Sequence, residues 1–315
     1  MTKILILGGG GMIGQKLAKQ LLANDPDADI TLHDIAFPPN GVPATQQTGD
    51  VSDPATMTAI AQAKFDTIYH LASIVSGEAE QQFRKGWVTN LHAMMNLLEG
   101  LRTVEHCPRI VFTSSIAVFG GPYPDVITDD YFQSPQTSYG AQKLACEVLL
   151  QDYSRKGYVD GLSLRLPTIC VRPGKPNLAA SSFFSGIIRE PLNGVKAALP
   201  VVDSTRHWFA SPKAAAGFLI HAAALDTEKL NGRRALNLPG VSCTVAEQIE
   251  ALREIAGQKT IDLITPQPDP DIAKIVAGWP QNFTADRAIA LGFKAEANFA
   301  DIIKIYITED MPKTA

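Results

Sequence analysis

The chain has 315 residues, of which 45% are hydrophobic and 19% are charged, and its formal net charge is −4. That length is enough to bury a large core, and the net negative charge argues against binding to nucleic acid through neutralised phosphates. No apolar run approaches the length of a membrane span, so we expect neither a nucleic acid nor a membrane as a partner.

Apolar strands alternate with helical patterns through the first half of the chain, which predicts a parallel sheet with crossover helices. The predicted strands span residues 3–7, 29–33, 67–70, 109–113 and 162–169. The predicted helices span residues 11–23, 54–61, 86–101 and 139–154, where apolar positions recur at intervals of three and four. The fold class is therefore α/β, with a doubly wound parallel sheet of the Rossmann type.

After residue 170 the pattern changes, because a loop rich in proline and glycine at 172–177 leads into a helical stretch at 179–189. Further predicted elements are helices near 211–224 and at 245–256, a strand at 235–238, and loops through the proline-punctuated stretch 265–280. We expect residues 1–170 to form the Rossmann domain and residues 171–315 mainly a smaller C-terminal, substrate-binding lobe, with segments near 205–240 returning to the first domain.

Three glycines, Gly8, Gly11 and Gly14, follow the first strand directly and open a helix. In a dinucleotide-binding turn, the first glycine permits the tight turn, the second lets a pyrophosphate approach the backbone, and the third allows close packing of helix against strand. The helix N-terminus, with Met12 and Ile13, would then stabilise the anion. We predict a dinucleotide site here; the alternative is a flexible turn without a ligand.

The second strand is followed by Asp34, at about the twenty-residue spacing from the glycine turn at which a carboxylate accepts the adenosine ribose hydroxyls. An acidic group would repel a ribose phosphate, and no arginine follows at 35–37. NAD is therefore favoured over NADP as the cofactor. The alternative is that Asp34 serves as a turn or capping residue.

Ser115, Tyr139 and Lys143 are the candidate catalytic residues. Hydride transfer at a carbinol carbon needs a base for the hydroxyl proton, and a free tyrosine with its pKa near 10 is a poor one at neutral pH. Lys143 lies four residues after Tyr139 in a helical pattern, so its ammonium should lower the tyrosine pKa. Ser115, just after the predicted strand at 109–113, is preferred over Ser114 and Thr113 as the hydroxyl that bonds the substrate oxygen.

With these motifs in place, the chain resembles the extended short-chain dehydrogenase/reductase family over roughly residues 1–240. The resemblance implies that Asp50 and Val51 flank the adenine and that Lys143 also bonds the nicotinamide ribose. The further positions that it assigns to the cofactor are Leu71, Ala72, Ser73, Asn90, Tyr139, Pro167 and Thr168.

Besides dehydrogenation, three other functions are considered for a chain with these motifs. Dehydratases of the family usually carry a threonine in place of Ser115 and an acidic pair after it, whereas Ile116 and Ala117 follow here, so dehydration is disfavoured. Epimerases share the serine, tyrosine and lysine, and a nucleotide-sugar 4-epimerase with tightly bound NAD is the alternative. A dinucleotide-sensing regulatory protein is a third interpretation, which the presence of Tyr139 and Lys143 disfavours.

The loops at 165–177, 180–184 and 206–208 resemble a bacterial branch of the family that oxidises C2 of a four-carbon sugar acid with NAD. A sugar acid requires recognition of its carboxylate, for which Arg172 or Arg206 offers a bidentate fork. Each arginine has an alternative, since Arg172 could cap a loop and Arg206 in related epimerases would contact a diphosphate. The remaining candidate substrate ligands are Ser73, Ser76, Ser115, Tyr139, Asn177 and Ser181.

The four cysteines and six histidines are scattered, without paired or metal-ligand spacing. We therefore expect reduced thiols in the cytoplasm and no bound metal. The apolar run at 4–7 is too short for the core of a secretion signal. The family resemblance implies a homodimer formed through the helices at 86–101 and 139–154.

Overall fold

The structure of the protein is a computed structural model that describes residues 2–174 and 180–312. Its strands are β1 (Lys3–Leu7), β2 (Asp29–Asp34), β3 (Thr45–Thr48), β4 (Thr67–His70), β5 (Arg109–Ser115), β6 (Asp160–Leu166), β7 (Thr168–Ile169), β8 (Ala197–Leu199), β9 (Arg206–Ala210), β10 (Ala235–Asn237), β11 (Val241–Thr244) and β12 (Ile264–Pro266).

The α-helices are α1 (Met12–Asn24), α2 (Pro54–Gln62), α3 (Ser76–Gln81), α4 (Phe83–Gly86), α5 (Ala93–Thr103), α6 (Ser138–Arg155), α7 (Ser182–Leu192), α8 (Pro212–Ala224), α9 (Val245–Ala256), α10 (Gln258–Ile261), α11 (Pro270–Ala277), α12 (Asp286–Ala290) and α13 (Phe299–Ile305). There are also π-helical turns at Trp87–His92 and Tyr306–Asp310 and 3₁₀ turns at Ile116–Val118 and Thr227–Leu230.

Seven parallel strands form the central sheet in the order β10-β6-β5-β4-β1-β2-β3. Leu7 lies opposite both His33 and His70, so the carboxyl ends of β1, β2 and β4 meet at one edge. The strand order reverses beside β1, and ligands of such sheets bind in the crevice at this point. The predicted doubly wound α/β fold is confirmed.

Helices cover both faces of this sheet, because successive side chains of each strand point to opposite sides. Ile6 packs with Leu17 of α1 and Phe218 of α8 on one face. Leu5 packs with Leu97 of α5 on the other face. Helices packed on both faces of the sheet hold the strands in place, and the candidate site residues lie at the ends of these strands.

The second half of the chain builds a separate core and also returns to the sheet. The strands β7, β9 and β11 form a small sheet, β8 pairs with β12, and Phe184, Phe209 and Leu252 are buried between these strands and the surrounding helices. By contrast, β10 pairs in parallel with β6 of the central sheet, and α8 packs on α1. A crevice therefore lies between the central sheet with its helices and the elements of the second core.

Several elements differ from the sequence-based expectations. The stretch 265–280 is not all loop, because Asp269 accepts hydrogen bonds from the backbone N–H groups of Asp271 and Ile272 and so starts α11 with Pro270 in its first turn. The strand predicted at 162–169 is broken at Pro167 into β6 and β7. The strands β3, β8, β9, β11 and β12 lie outside the ranges predicted for strands.

Within residues 2–174 and 180–312, no helix is long and apolar enough to cross a membrane. The same residues contain no cluster of three or more His, Cys, Asp or Glu side chains that could hold a metal ion.

Candidate active site

The glycine turn has the geometry of a dinucleotide cradle. Gly8 has a φ of +84°, and a Cβ atom there would lie 2.7 Å from the backbone nitrogen of Ala72. A Cβ atom on Gly14 would lie 2.3 Å from the carbonyl oxygen of Gly8, so both positions require glycine. At Gly11, which directly precedes α1, a Cβ atom would meet only the Gly8 oxygen at 3.4 Å. Open space thus lies at the helix N-terminus, where a pyrophosphate fits.

Asp34 connects the end of β2 to this turn. One carboxylate oxygen accepts a hydrogen bond from the Gly10 N–H at 2.9 Å, and the other accepts one from the Ile35 N–H at 2.7 Å. The carboxylate is half-buried and can accept further bonds, because its two oxygens carry about four lone pairs. Both the capping role and the ribose-binding role considered from the sequence are therefore compatible with its position.

We expect Asp34→Ala to raise the KM for NAD by about ten- to a hundredfold, because a hydrogen bond to a charged group contributes about 1.5–3 kcal/mol. Steady-state titrations with NAD and with NADP would measure this change. The matched control is Asp27→Ala, which removes an exposed carboxylate just before the same strand. An unchanged KM for NAD in the Asp34 variant would contradict the ribose contact.

The loop after β4 lies directly over the glycine turn. The N–H groups of Leu71 and Ala72 both donate to the carbonyl oxygen of Leu7 at 2.9 Å. After β3, Asp50 is exposed and accepts a hydrogen bond from the Ser52 N–H at 2.8 Å, whereas Val51 is buried. Of the two residues expected beside the adenine, the structure therefore leaves the Asp50 side chain open and turns that of Val51 into the core.

Asn90, on the π-helical turn at Trp87–His92, is hydrogen-bonded to the loop after β4. Its amide oxygen accepts hydrogen bonds from the Ile74 N–H at 2.9 Å and from the Ser73 hydroxyl at 3.0 Å. Its amide nitrogen donates to the Ile74 carbonyl and to the Gln142 side chain. Because Asn90 is only 2% exposed, its contacts position Ser73 rather than reach a ligand directly.

Tyr139 and Lys143 lie on the first turns of α6, whose start is fixed by Thr137 accepting from the Gly140 N–H at 3.1 Å. The Lys143 ammonium lies 5.4 Å from the centre of the Tyr139 ring and donates to the carbonyl oxygen of Thr113 at 2.9 Å. Lys143 is 2% exposed, and burial lowers its pKa to about 8. The structure brings the two side chains together as predicted.

Burial has the largest effect on the pKa of Tyr139. Burial raises the pKa of Tyr139 to about 12, and the Ser73 hydroxyl and the Arg172 charge oppose that rise. The Lys143 ammonium donates to the Thr113 carbonyl oxygen and lies near the ring, and its lowering of the tyrosine pKa stays a prediction. The positive charge of Arg172 therefore favours the phenolate.

Three neighbouring hydroxyls at the end of β5 have different partners. Thr113 donates to the His70 carbonyl at 3.1 Å, and Ser114 donates to the buried carboxylate of Glu147. The Ser115 oxygen accepts from the Ala117 N–H at 3.1 Å, which leaves its own proton available to a substrate oxygen. Ser115 alone of the three lines the cavity that contains Tyr139.

A cavity of about 340 Å³ lies between the Rossmann domain and the C-terminal elements. It brings together nine of the residues that the sequence singled out: Met12, Ile13, Ser76, Ser115, Tyr139, Pro167, Thr168, Arg172 and Ser181. Asn177 lies outside the described residues. The cavity is therefore the place at which a cofactor and a small substrate can meet.

The two candidate arginines have different surroundings. Arg172 is half-buried in the cavity wall, donates to the Ser181 hydroxyl at 2.8 Å, and has its backbone N–H bonded to Ser185. Arg206 does not line the cavity; it forms an ion pair with Glu247 at 3.2 Å. The structure therefore does not bring Arg206 to this cavity, and its contact with substrate stays a prediction.

Sequence reasoning missed part of the cavity wall. His207, which no sequence pattern assigned to the site, lines the cavity, and its Nε2 lies 2.6 Å from the Thr168 hydroxyl. Tyr123 and Trp279 also line it. Neither Tyr123 nor Trp279 belongs to a periodic sequence pattern that could have indicated its position. Tyr123 lies in the irregular segment after Gly120, and Trp279 lies in a stretch predicted as loop.

The NAD dependent epimerase/dehydratase family matches residues 4–231. A D-erythronate dehydrogenase of Cupriavidus necator is 47% identical over 97% of this chain and 98% of its own, and one of Haemophilus influenzae is 43% identical over 98% and 100%. A solved structure described as the nucleoside-diphosphate-sugar epimerase from Agrobacterium tumefaciens has a TM-score of 0.94 and 47% identity, covering 98% of this chain and 94% of that one.

These similarities extend across both the sheet and the C-terminal elements, so they include every part of the cavity. They confirm the family resemblance that the glycine turn and the tyrosine–lysine pair indicated, and with it NAD as the cofactor. The chain belongs to the NAD dependent epimerase/dehydratase family.

Proposed function

We propose that the protein is an NAD-dependent dehydrogenase that oxidises the C2 hydroxyl of D-erythronate to give 2-dehydro-D-erythronate. The observation that carries the proposal is the meeting of Ser115, Tyr139 and Arg172 in one small cavity. A hydroxyl group, a base and a cation for a carboxylate are what a 2-hydroxy acid needs. The two relatives named D-erythronate dehydrogenase, at 47% and 43% identity, support this substrate.

Each side chain has a separate task in this reaction. Tyr139 takes the C2 hydroxyl proton, and Ser115 donates a hydrogen bond to the same oxygen. Arg172 holds the carboxylate, while Ser76 and Ser181 are available to the other hydroxyls. NAD, when bound, supplies the acceptor for the C2 hydride at nicotinamide C4.

We assign the cofactor to the crevice above β1. Its pyrophosphate would lie at the N–H groups of Met12 and Ile13, and its ribose hydroxyls would bind Asp34. The nicotinamide would pass Pro167 and Thr168, which line the cavity next to Tyr139. The open space at Gly11 supports this placement.

A nucleotide-sugar 4-epimerase is the second candidate, favoured by the name of the similar structure from Agrobacterium tumefaciens. Two observations disfavour it. A cavity of about 340 Å³ is near the lower end of the usual range for ligand pockets, about 300–1,000 Å³, and must also admit the nicotinamide. Arg206, the expected diphosphate ligand, is paired with Glu247.

One experiment separates the two candidates. Purified protein is mixed with NAD and each of a panel of four- to six-carbon aldonates, and the absorbance of NADH is followed. Turnover with D-erythronate well above the other acids supports the dehydrogenase. If no acid is oxidised while a nucleotide sugar is interconverted, the dehydrogenase proposal is overturned.

Replacing Arg172 with leucine should raise the KM for D-erythronate by about thirtyfold or more, because loss of one partner of a buried charge pair costs about 2–5 kcal/mol. The KM for NAD should change little. Arg206→Leu is the matched control, since its side chain lies outside the cavity. Equal effects of the two substitutions would contradict the assignment of the carboxylate to Arg172.

We further propose that the protein is a homodimer and works in the cytoplasm. The helices α5 and α6 pack together and carry the exposed apolar side chains Met95 and Val148, which are 43% and 62% accessible. The four cysteines are free thiols, as is usual in a reducing compartment. Light scattering that gave the mass of a single chain would contradict the dimer.

A further inference from the structure

We propose that Trp279, held over the cavity by Tyr123, limits the carbon-chain length of the acid that the enzyme accepts. This inference rests on the proposed function, because it concerns the substrate of the same cavity. It assigns a specificity-determining role to a segment of the C-terminal half that carries no catalytic group.

The segment that follows α11 is hydrogen-bonded at two points to the stretch after β5. The Tyr123 hydroxyl lies 3.1 Å from the carbonyl oxygen of Gly278, the residue before Trp279. Farther along, Ile127 donates its N–H to the Asn282 carbonyl and accepts from the Thr284 N–H, each at 2.9 Å. The wall that contains Trp279 is therefore anchored at two points and cannot swing freely.

The indole also packs against the ring of His207. Its ring centre lies 5.3 Å from that of His207, and the His207 ring is stacked on Phe184 with an angle of 3° between the planes. His207 is 2% exposed and bonded to the Thr168 hydroxyl, so it cannot move aside without breaking that contact. Burial lowers the pKa of His207 to about 4, which leaves the ring uncharged at neutral pH.

This wall faces a cavity whose polar groups come from other elements. Ser76, Ser115, Tyr139, Arg172 and Ser181 supply the groups that a short hydroxy acid can bind. An indole next to a neutral imidazole adds mainly bulk, so it acts by exclusion. One methylene more or less in a hydrophobic pocket changes specificity by about 10- to 200-fold, and we expect a change of that order for a longer acid that meets the indole.

The test measures binding as well as turnover. Four-, five- and six-carbon aldonates are titrated calorimetrically into the enzyme with NADH, and their oxidation with NAD is measured in parallel. The variants are Trp279→Ala, Trp279→Phe and Tyr123→Phe. The matched control is Ile275→Ala, which changes α11 at a side chain that is 50% exposed and outside the cavity.

We expect the wild type and the control to prefer the four-carbon acid. In Trp279→Ala the ratio of six-carbon to four-carbon affinity should rise about tenfold or more, with smaller rises in Trp279→Phe and Tyr123→Phe. If the alanine variant does not fold, the other two variants carry the same comparison.

The outcomes distinguish this inference from the proposed function. An unchanged length preference in all three variants, with D-erythronate still oxidised, overturns the role of Trp279 alone. If the wild type binds short acids selectively and loses that preference in the variants, yet oxidises none of them, only the proposed function fails. If no acid binds to the wild type, both are overturned.

Discussion

Phenylalanine in place of Tyr139 should lower kcat for D-erythronate by about 10²- to 10⁴-fold, the usual contribution of a positioned general base. The substitution removes one oxygen and keeps the ring that lies against the Lys143 ammonium. The affinity for NAD should therefore stay near that of the wild type. Turnover is measured by NADH absorbance, and NAD binding by calorimetry.

The pH profile adds a second readout to this prediction. Burial raises the pKa of Tyr139 to about 12, and the deprotonated phenol is the active base, so the wild-type rate should increase from neutral toward alkaline pH. That rise should disappear in Tyr139→Phe. Tyr158→Phe, which removes a hydroxyl outside the cavity, is the matched control. Full turnover by the Tyr139 variant would reject the assigned base.

The dinucleotide turn could be predicted from the sequence because its requirements are local. Gly8 needs a positive φ and Gly14 needs the absence of a Cβ atom, and both conditions follow from a strand that runs directly into a helix. The same holds for Tyr139 and Lys143, whose spacing of four residues places them on one helix face.

The choice between the two arginines could not be predicted in this way. Arg206 does not line the cavity and instead pairs with Glu247, a residue 41 positions later whose proximity depends on the pairing of β9 with β11. Trp279 reaches the cavity because its segment is bonded to Tyr123 and Ile127, more than 150 residues earlier. Contacts of this kind depend on the tertiary fold and have no periodic signature.

The choice among the hydroxyls at the end of β5 depends on both the sequence and the tertiary structure. The predicted end of the strand was enough to place Ser114 and Ser115 near the site. Only the structure shows that the Ser114 hydroxyl is already bonded to Glu147 of α6. That carboxylate is the centre of a buried cluster. It also pairs with Arg165, whose guanidinium donates to Asn237 of β10.

Replacing Glu147 with glutamine should lower the free energy of unfolding by about 3–5 kcal/mol, because it leaves the Arg165 charge buried without its partner. The two side chains of this pair are only 7% and 4% exposed, so water cannot replace the lost contact. Urea denaturation followed by circular dichroism would measure the change. The exposed pair of Arg155 and Asp152 provides the matched control, and Asp152→Asn should change stability by less than about 1 kcal/mol.

The same substitution should also affect catalysis, since Glu147 holds the Ser114 hydroxyl and Ser114 precedes Ser115 in the strand. A second variant, with Glu147→Leu and Arg165→Met together, removes both charges and should recover much of the lost stability. If the double variant is stable but still slow, the carboxylate positions Ser115 through Ser114. If its turnover recovers together with its stability, the cluster serves only to join α6, β5 and β10.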